Sequence, residues 1–131
     1  MSYNLEFPID LLEYLPTNTL IKIKGGSKPR SFLEIWMVSV GGRLFARTWQ
    51  KSKRSWYTAF LEEGVGQIQY GDKVINVLGK KVDKDEDIIK LIDQAYLDKY
   101  TQKGSVEYAK GITQKEYQDY TMEFEFHSLS D

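Results

Sequence analysis

Two short turns, Gly41–Gly42 and Gly71–Asp72, each join two strand-like runs. No other feature restricts the chain as much. Connections of two residues join antiparallel neighbours, because a parallel pair needs a crossover of a dozen residues or more. The flanking runs are Phe32 to Val40 and Arg43 to Trp49 around the first turn, and Val65 to Tyr70 and Lys73 to Val82 around the second. Phe32 to Val40 is apolar on both faces and reads as a central strand. Before it, Leu20 to Lys24 alternates Ile21 and Ile23 with Lys22 and Lys24, a half-buried strand. Near the end, Met122, Phe124 and Phe126 alternate with Glu123, Glu125 and His127, a closing strand over 120–127 with one wet face. The expected fold is mainly β with flanking helices: a six-stranded antiparallel barrel whose strands, apart from the closing one, lie in 20–82.

Helices occupy the rest. Pro8 suits a first helical turn, and Ile9, Leu11, Leu12 and Leu15 make segment 1–18 a short apolar helix, stopped at Pro16, that serves as a lid over one end. Asp83 with Glu86 resembles a capping box. Ile88, Ile89, Ile92, Tyr96 and Tyr100 then recur at helical spacing until Gly104, predicting a long helix over 85–103 packed outside the barrel through Ile88, Ile92 and Tyr96. A short helical or irregular piece follows, from Ser105 to Gln118. The 131 residues show no repeat and no linker, which predicts a single domain. The chain has no cysteine, which removes disulfides and thiolate metal sites. No run reaches the apolar length of a membrane span, so a cytoplasmic location without a membrane partner is expected.

The residues of acid-base catalysis are largely missing. The one histidine, His127, has no nucleophile motif beside it, and the acidic neighbours Glu62 with Glu63 and Asp85 with Asp87 point in different directions. No metal-ligand spacing occurs, and no catalytic residue is assigned. Hard chemistry in this chain would have to be carried by a cofactor.

Charge is unevenly distributed. From Leu20 to Trp56 there are nine Lys or Arg and one acid, Glu34, whereas the remainder holds nine basic and eighteen acidic residues. The densest stretch is LFARTWQKSKRSWY, residues 44–57. On a strand Phe45, Arg47 and Trp49 share one face, so Arg47 stands between two rings and requires an anion or an acid. Ser55 is a candidate N-cap for a helix through Trp56, Tyr57, Ala59, Phe60 and Leu61 ended by Gly64. Lys51, Lys53 and Arg54 lie just before that helix start, where phosphate is commonly held. Taken singly, Trp49 and Trp56 read as core anchors and the lysines as a wet hairpin tip. Together they favour a site for a phosphorylated ring compound. A nucleic-acid groove is disfavoured by the acidic flanks and a pI near 5.9.

The runs GGSKPRSFLEIWMV, GRLFARTW, SWYTAFLEEG and IDQAYLDKY resemble the flavin-binding split-barrel superfamily, the pyridoxamine phosphate oxidase-like proteins. They are most similar to small deazaflavin-dependent nitroreductase-like proteins and to an uncharacterised bacterial branch. The resemblance covers roughly 20–127. It implies a six-stranded split barrel that binds FMN, or alternatively a deazaflavin, on its side. By position it implies that Arg47, Thr48, Lys51, Lys53 and Arg54 form the phosphate strand and loop, joined by Ser55 and Trp56. Lys28 and Arg30 match a basic loop that reaches an anionic tail, and Trp36, Met37 and Trp49 would lie near the ring. It also implies a homodimer with the cofactor at the subunit boundary. Two positions depart from the pattern: Glu34 stands where proline is usual, and Thr58 where histidine is frequent. A Glu34 pair with Arg47 or Arg30 inside the barrel would satisfy those cations without a ligand. Two functions follow. One is an oxidoreductase passing hydride to a quinone or nitro compound. The other is a non-enzymatic or cofactor-less module of the same fold with an internal Glu-Arg pair.

Overall fold

Both short turns form. Gly41 and Gly42 take φ of 58° and 82°, and Gly71 takes 59°, left-handed conformations that glycine adopts without the usual steric cost. The computed structural model describes residues 7–15, 21–27, 31–48, 56–83, 85–100, 105–118 and 120–126. Within them lie seven strands: β1 (Ile21–Gly25), β2 (Leu33–Ile35), β3 (Met37–Val40), β4 (Arg43–Arg47), β5 (Val65–Tyr70), β6 (Lys73–Lys81) and β7 (Thr121–Phe126). They make one sheet in the order β2-β1-β5-β6-β7-β4-β3, antiparallel throughout.

The expected six strands become seven because the run from Phe32 to Val40 breaks at Trp36. Its first half pairs with β1 (Ile21 opposite Ile35) and its second with β4 (Met37 opposite Ala46). These halves occupy opposite ends of the strand order, so the single residue between them bends the sheet round until it nearly closes into a barrel. Six runs of sequence thus make seven strands, joined by six antiparallel pairings.

Inward-facing side chains from β1, β3, β4, β5, β6 and β7 fill the barrel. Ile21, Ile23, Met37, Leu44, Ala46, Ile68, Val77, Met122 and Phe124 are all buried there. α1 (Ile9–Tyr14) closes one end, as expected of a lid, with Leu11 and Leu15 buried beside Phe7, while Ile9 is exposed. A polar latch fastens it: the Asp10 carboxylate pairs with Lys73 and accepts the Tyr70 hydroxyl at 3.2 Å. The hydrogen bond from Lys73 holds the Asp10 carboxyl below its ordinary range. Because that pKa is lowered by folding, the latch contributes stability above the usual aspartate range and loses it as pH falls through the folded value.

α2 (Trp56–Glu63) enters from β4 and plugs the interior with Trp56, Tyr57 and Phe60. It ends where expected, at Gly64, whose φ is 75° and whose N–H donates to the Phe60 carbonyl at 2.7 Å. Phe60 lies on a floor of three glycines from adjacent strands, Gly25, Gly66 and Gly79. A Cβ on either Gly66 or Gly79 would overlap its ring, and one on Gly25 would crowd both the ring and the Trp56 carbonyl. The missing side chains let the helix descend onto the sheet.

Outside the barrel, β3 and β4 present Val38 and Phe45 to α3 (Ile88–Lys99), which buries Ile89, Ile92 and Tyr96 with Ile88 half-buried. α4 (Ser105–Ile112) and α5 (Lys115–Gln118) follow. α3 is shorter than the 85–103 expected. Asp83 makes a turn instead of a capping box, its carboxylate accepting the Asp85 N–H at 2.9 Å and its carbonyl the Glu86 N–H at 3.1 Å. Gly104 and His127 lie outside the described residues. The supposed wet face of β7 is also partly dry: Glu123 is buried and takes Arg43 Nε and Nη2 at 2.8 Å each. No described helix is long and apolar enough to cross a membrane.

A Cβ at Gly79 would overlap Phe60 Cδ1 and approach Cγ at 3.0 Å and Met122 Sδ at 3.1 Å. Gly79→Ala is therefore expected to destabilise by about 1–3 kcal/mol, the range for overpacking. Adding Phe60→Leu should cost less in the Gly79→Ala background than in the native protein. Urea denaturation of the two single variants and the double variant checks this, and additive losses would show that the ring and the glycine are not in contact.

Candidate functional site

Arg47 ends β4 on its outer face, beside Phe45 and opposite the inward Leu44 and Ala46, as strand alternation requires. Its guanidinium is fully buried. Nη1 pairs with Asp93 of α3 and donates to the Ile112 carbonyl of α4 at 3.2 Å. Nη2 donates to the Ile89 carbonyl at 3.3 Å, and Nε to Thr121 Oγ1 of β7 at 2.9 Å. The set is oriented in turn: Gln118 Nε2 donates to the other Asp93 oxygen at 2.9 Å, and the Thr121 hydroxyl donates to the Gln118 carbonyl at 2.8 Å. Four of the five guanidinium N–H donors are thereby engaged. The acid is Asp93 and not Glu34, which lies exposed on β2 opposite Lys22.

The break at Trp36 is built into the same cluster. In the β3–β4 register the next pair beyond Met37 and Ala46 is Trp36 with Arg47. There the Tyr96 hydroxyl takes the Arg47 N–H at 2.9 Å and donates to the Trp36 carbonyl at 2.7 Å. One side chain of α3 thus replaces a rung of the ladder and keeps both backbone groups satisfied while the strands part. Burial pushes the Tyr96 phenol well above its ordinary range, so it stays protonated and can donate. The Arg47 guanidinium also lies 5.8 Å from the Tyr96 ring centroid.

Of the expected site residues, Arg47, Thr48, Trp36 and Trp56 are described. Thr48 is buried, its N–H donating to the Tyr120 carbonyl at 3.4 Å. Trp36 is half-buried and stacks on Tyr100 with centroids 4.0 Å apart and planes 5° apart. Trp56 is buried on the other side of the sheet, within ring contact of Phe60 and Phe124 inside the barrel. The structure thus brings Arg47, Thr48 and the Trp36 backbone together and leaves Trp56 with the interior. Lys28, Arg30, Trp49, Lys51, Lys53, Arg54 and Ser55 lie outside the described residues. Ser27, at the threshold of the first basic loop, is tied to α2, its N–H and hydroxyl donating to Glu63 Oε1 at 3.2 and 2.7 Å.

Asp93, Thr121, Gln118 and the Tyr96 hydroxyl escape a reading of the sequence alone. A signal for Asp93 exists: it sits between Ile92 and Tyr96 on the buried stripe of α3, an acid where apolar residues recur. Among the described residues no group of three or more His, Cys, Asp or Glu could hold a metal ion. Two open cavities flank the lid end. One, of about 480 Å³, lies beside Phe7, Leu12, Arg43 and Glu123. The other, of about 290 Å³, lies between Leu15, β3 and α3.

A nearly closed antiparallel barrel with an outer helical layer riveted by a buried arginine is the class of structure these features define. The chain belongs to the family described as "Uncharacterized protein conserved in bacteria (DUF2255)", whose profile matches residues 20–124. Among solved structures, it is similar to the crystal structure of the conserved hypothetical protein Rv2991 from Mycobacterium tuberculosis. The TM-score is 0.54 at 10% identity, over 98% of this chain and 85% of that one. The likeness is one of fold. No curated protein gives a significant match.

Tyr96→Phe would remove the hydrogen bonds that its hydroxyl makes with the Arg47 N–H and the Trp36 carbonyl, at about 1–3 kcal/mol for the buried N–H alone. Tyr100→Phe removes only a long hydrogen bond, 3.4 Å to a Met37 carbonyl that Lys99 also contacts. Thermal unfolding should therefore show a much larger fall for Tyr96→Phe than for Tyr100→Phe, and equal falls would refute the hydroxyl's bridging role.

Proposed function

We propose that the protein is a non-enzymatic ligand-binding module of the split-barrel kind, in which Arg47 is a structural cation of the barrel wall. The observation that supports this is the engagement of the Arg47 guanidinium by Asp93, Thr121 and the carbonyls of Ile89 and Ile112. A cation so placed has one N–H left, and a phosphate would have to displace Asp93 to reach it. The ligand class is an anionic ring compound, held by the charge of Lys51, Lys53 and Arg54 with Lys28 and Arg30. The rings of Trp56, Phe60 and Phe124 inside the barrel favour the outer side of the sheet for any such ligand.

A second reading, an oxidoreductase using FMN or a deazaflavin to pass hydride to a small acceptor, draws on the barrel fold and on the start of α2 at Trp56, two residues past Arg54. In that reading the loop cations, not Arg47, carry the phosphate.

Arg47→Ala and a Lys51→Ala/Lys53→Ala double variant separate the roles. Removing the arginine of a buried pair costs about 3–5 kcal/mol, so Arg47→Ala should lower the melting temperature by roughly 10 °C or more. Any FMN affinity measured by fluorescence quenching should persist in whatever fraction stays folded. The double variant should melt like the native protein and lose that affinity. An Arg47→Ala protein that melts normally but no longer binds FMN would overturn the structural assignment. Reduction of a nitro compound or quinone by the flavin-loaded protein would favour the second reading.

A further inference from the structure

Lys99 is the last residue of α3, yet its amine is turned inward. Nζ donates to the Met37 carbonyl at 2.6 Å and lies 5.2 Å from the Tyr100 ring centroid. Beside it opens the cavity of about 290 Å³ lined by Leu15, Val38, Ser39, Ala95 and Asp98. The groups facing the amine are few. β3 offers the Met37 carbonyl and the Ser39 hydroxyl, and the chain after α1 offers Leu15. α3 offers Asp98, which already accepts Gln94 Nε2 at 2.8 Å, and Tyr100 follows, a phenol kept neutral by burial. The described ion pairs all use other cations. Burial without an ionic partner lowers the amine to about 8, outweighing the helix C-terminus and the carbonyl, both of which favour the ammonium form.

We infer that Lys99 is a nucleophilic amine that captures a small, mainly apolar aldehyde or ketone in this cavity as an imine. The neutral Nζ adds to the carbonyl carbon, and a proton moves from nitrogen to oxygen to give a carbinolamine. Loss of water, with the second amine proton, leaves the C=N bond. No electrons are exchanged. A desolvated lysine in an apolar pocket is a recognised way to hold the reactive neutral amine near neutral pH. Leu15, Val38 and Ala95 suit an alkyl chain, and Asp98 at the same cavity disfavours an anionic keto acid.

The test is reductive trapping: the full-length protein, pentanal or pyruvate, and sodium cyanoborohydride, with peptide mapping of all lysines over pH 6–11. With pentanal, Lys99 should be labelled roughly tenfold or more faster than the median lysine at pH 7.5, with its rate half-maximal near pH 8. Exposed lysines should rise towards their ordinary value of about 10.4. Pyruvate should label Lys99 more slowly than pentanal. Labelling at the surface rate, or a midpoint above pH 10, overturns the reactive amine; faster labelling by pyruvate overturns the apolar ligand class. Lys99→Arg should abolish the fast site. Because all lysines compete within the native protein, the comparison of their rates stands whether or not that variant folds.

Discussion

The structure hangs on a charge that never meets water. A guanidinium withdrawn from solvent must find an acid and carbonyls for its donors, and Arg47 finds them on three other elements, α3, α4 and β7. Lysine could not do this, because an ammonium lacks the planar spread of five donors. The apolar contacts of Val38 and Phe45 with α3 are tolerant of sliding. The arginine is not, and it pins the helix at one height against β4. That height brings Tyr96 level with the gap between Trp36 and Arg47, so the charge, the strand break and the outer helix are aspects of a single arrangement.

Much of the architecture was legible in the chain itself. The glycine turns, the alternation in β1, the apolar helix over the barrel end and the stop of α2 at Gly64 are local matters of φ, period and capping, and sequence carries those directly. What it hid was non-local. Nothing in Phe32 to Val40 says that Ile35 and Met37 will have different neighbours, since a run apolar on both faces is equally at home in a straight central strand. Glu34 and Asp93 are both acids among apolar residues; only topology decides that β2 turns Glu34 outward while α3 turns Asp93 towards Arg47. The floor of Gly25, Gly66 and Gly79 was likewise invisible, because the three lie far apart in the chain and converge only through strand pairing. Of the candidate site, the cation was found and its partner was not, and its basic loops lie beyond the described residues.

The interior and the exterior of the barrel differ in what they leave to function. Inside, Trp56, Phe60 and Phe124 interlock with the floor of glycines, and the space is occupied by rings. Outside, α3 meets β3 along a seam that ends in an open cavity beside Lys99. Such seams between a sheet and a covering helix are common places for small molecules, because the two surfaces curve differently and packing is incomplete.

The last strand has a consequence for how the protein is made. β7 lies between β6 and β4 and is hydrogen-bonded to both, so it alone in the ladder joins the group β2-β1-β5-β6 to the hairpin β4-β3. A ribosome delivers it after every other described strand. Until Thr121 to Phe126 has emerged, the nascent chain carries two unpaired strand edges, facing each other across an open side, with Thr121 not yet there to receive the Arg47 Nε proton. Closure of the barrel therefore waits for β7, and the interval before it is when the chain is most exposed to pairing with another copy of itself.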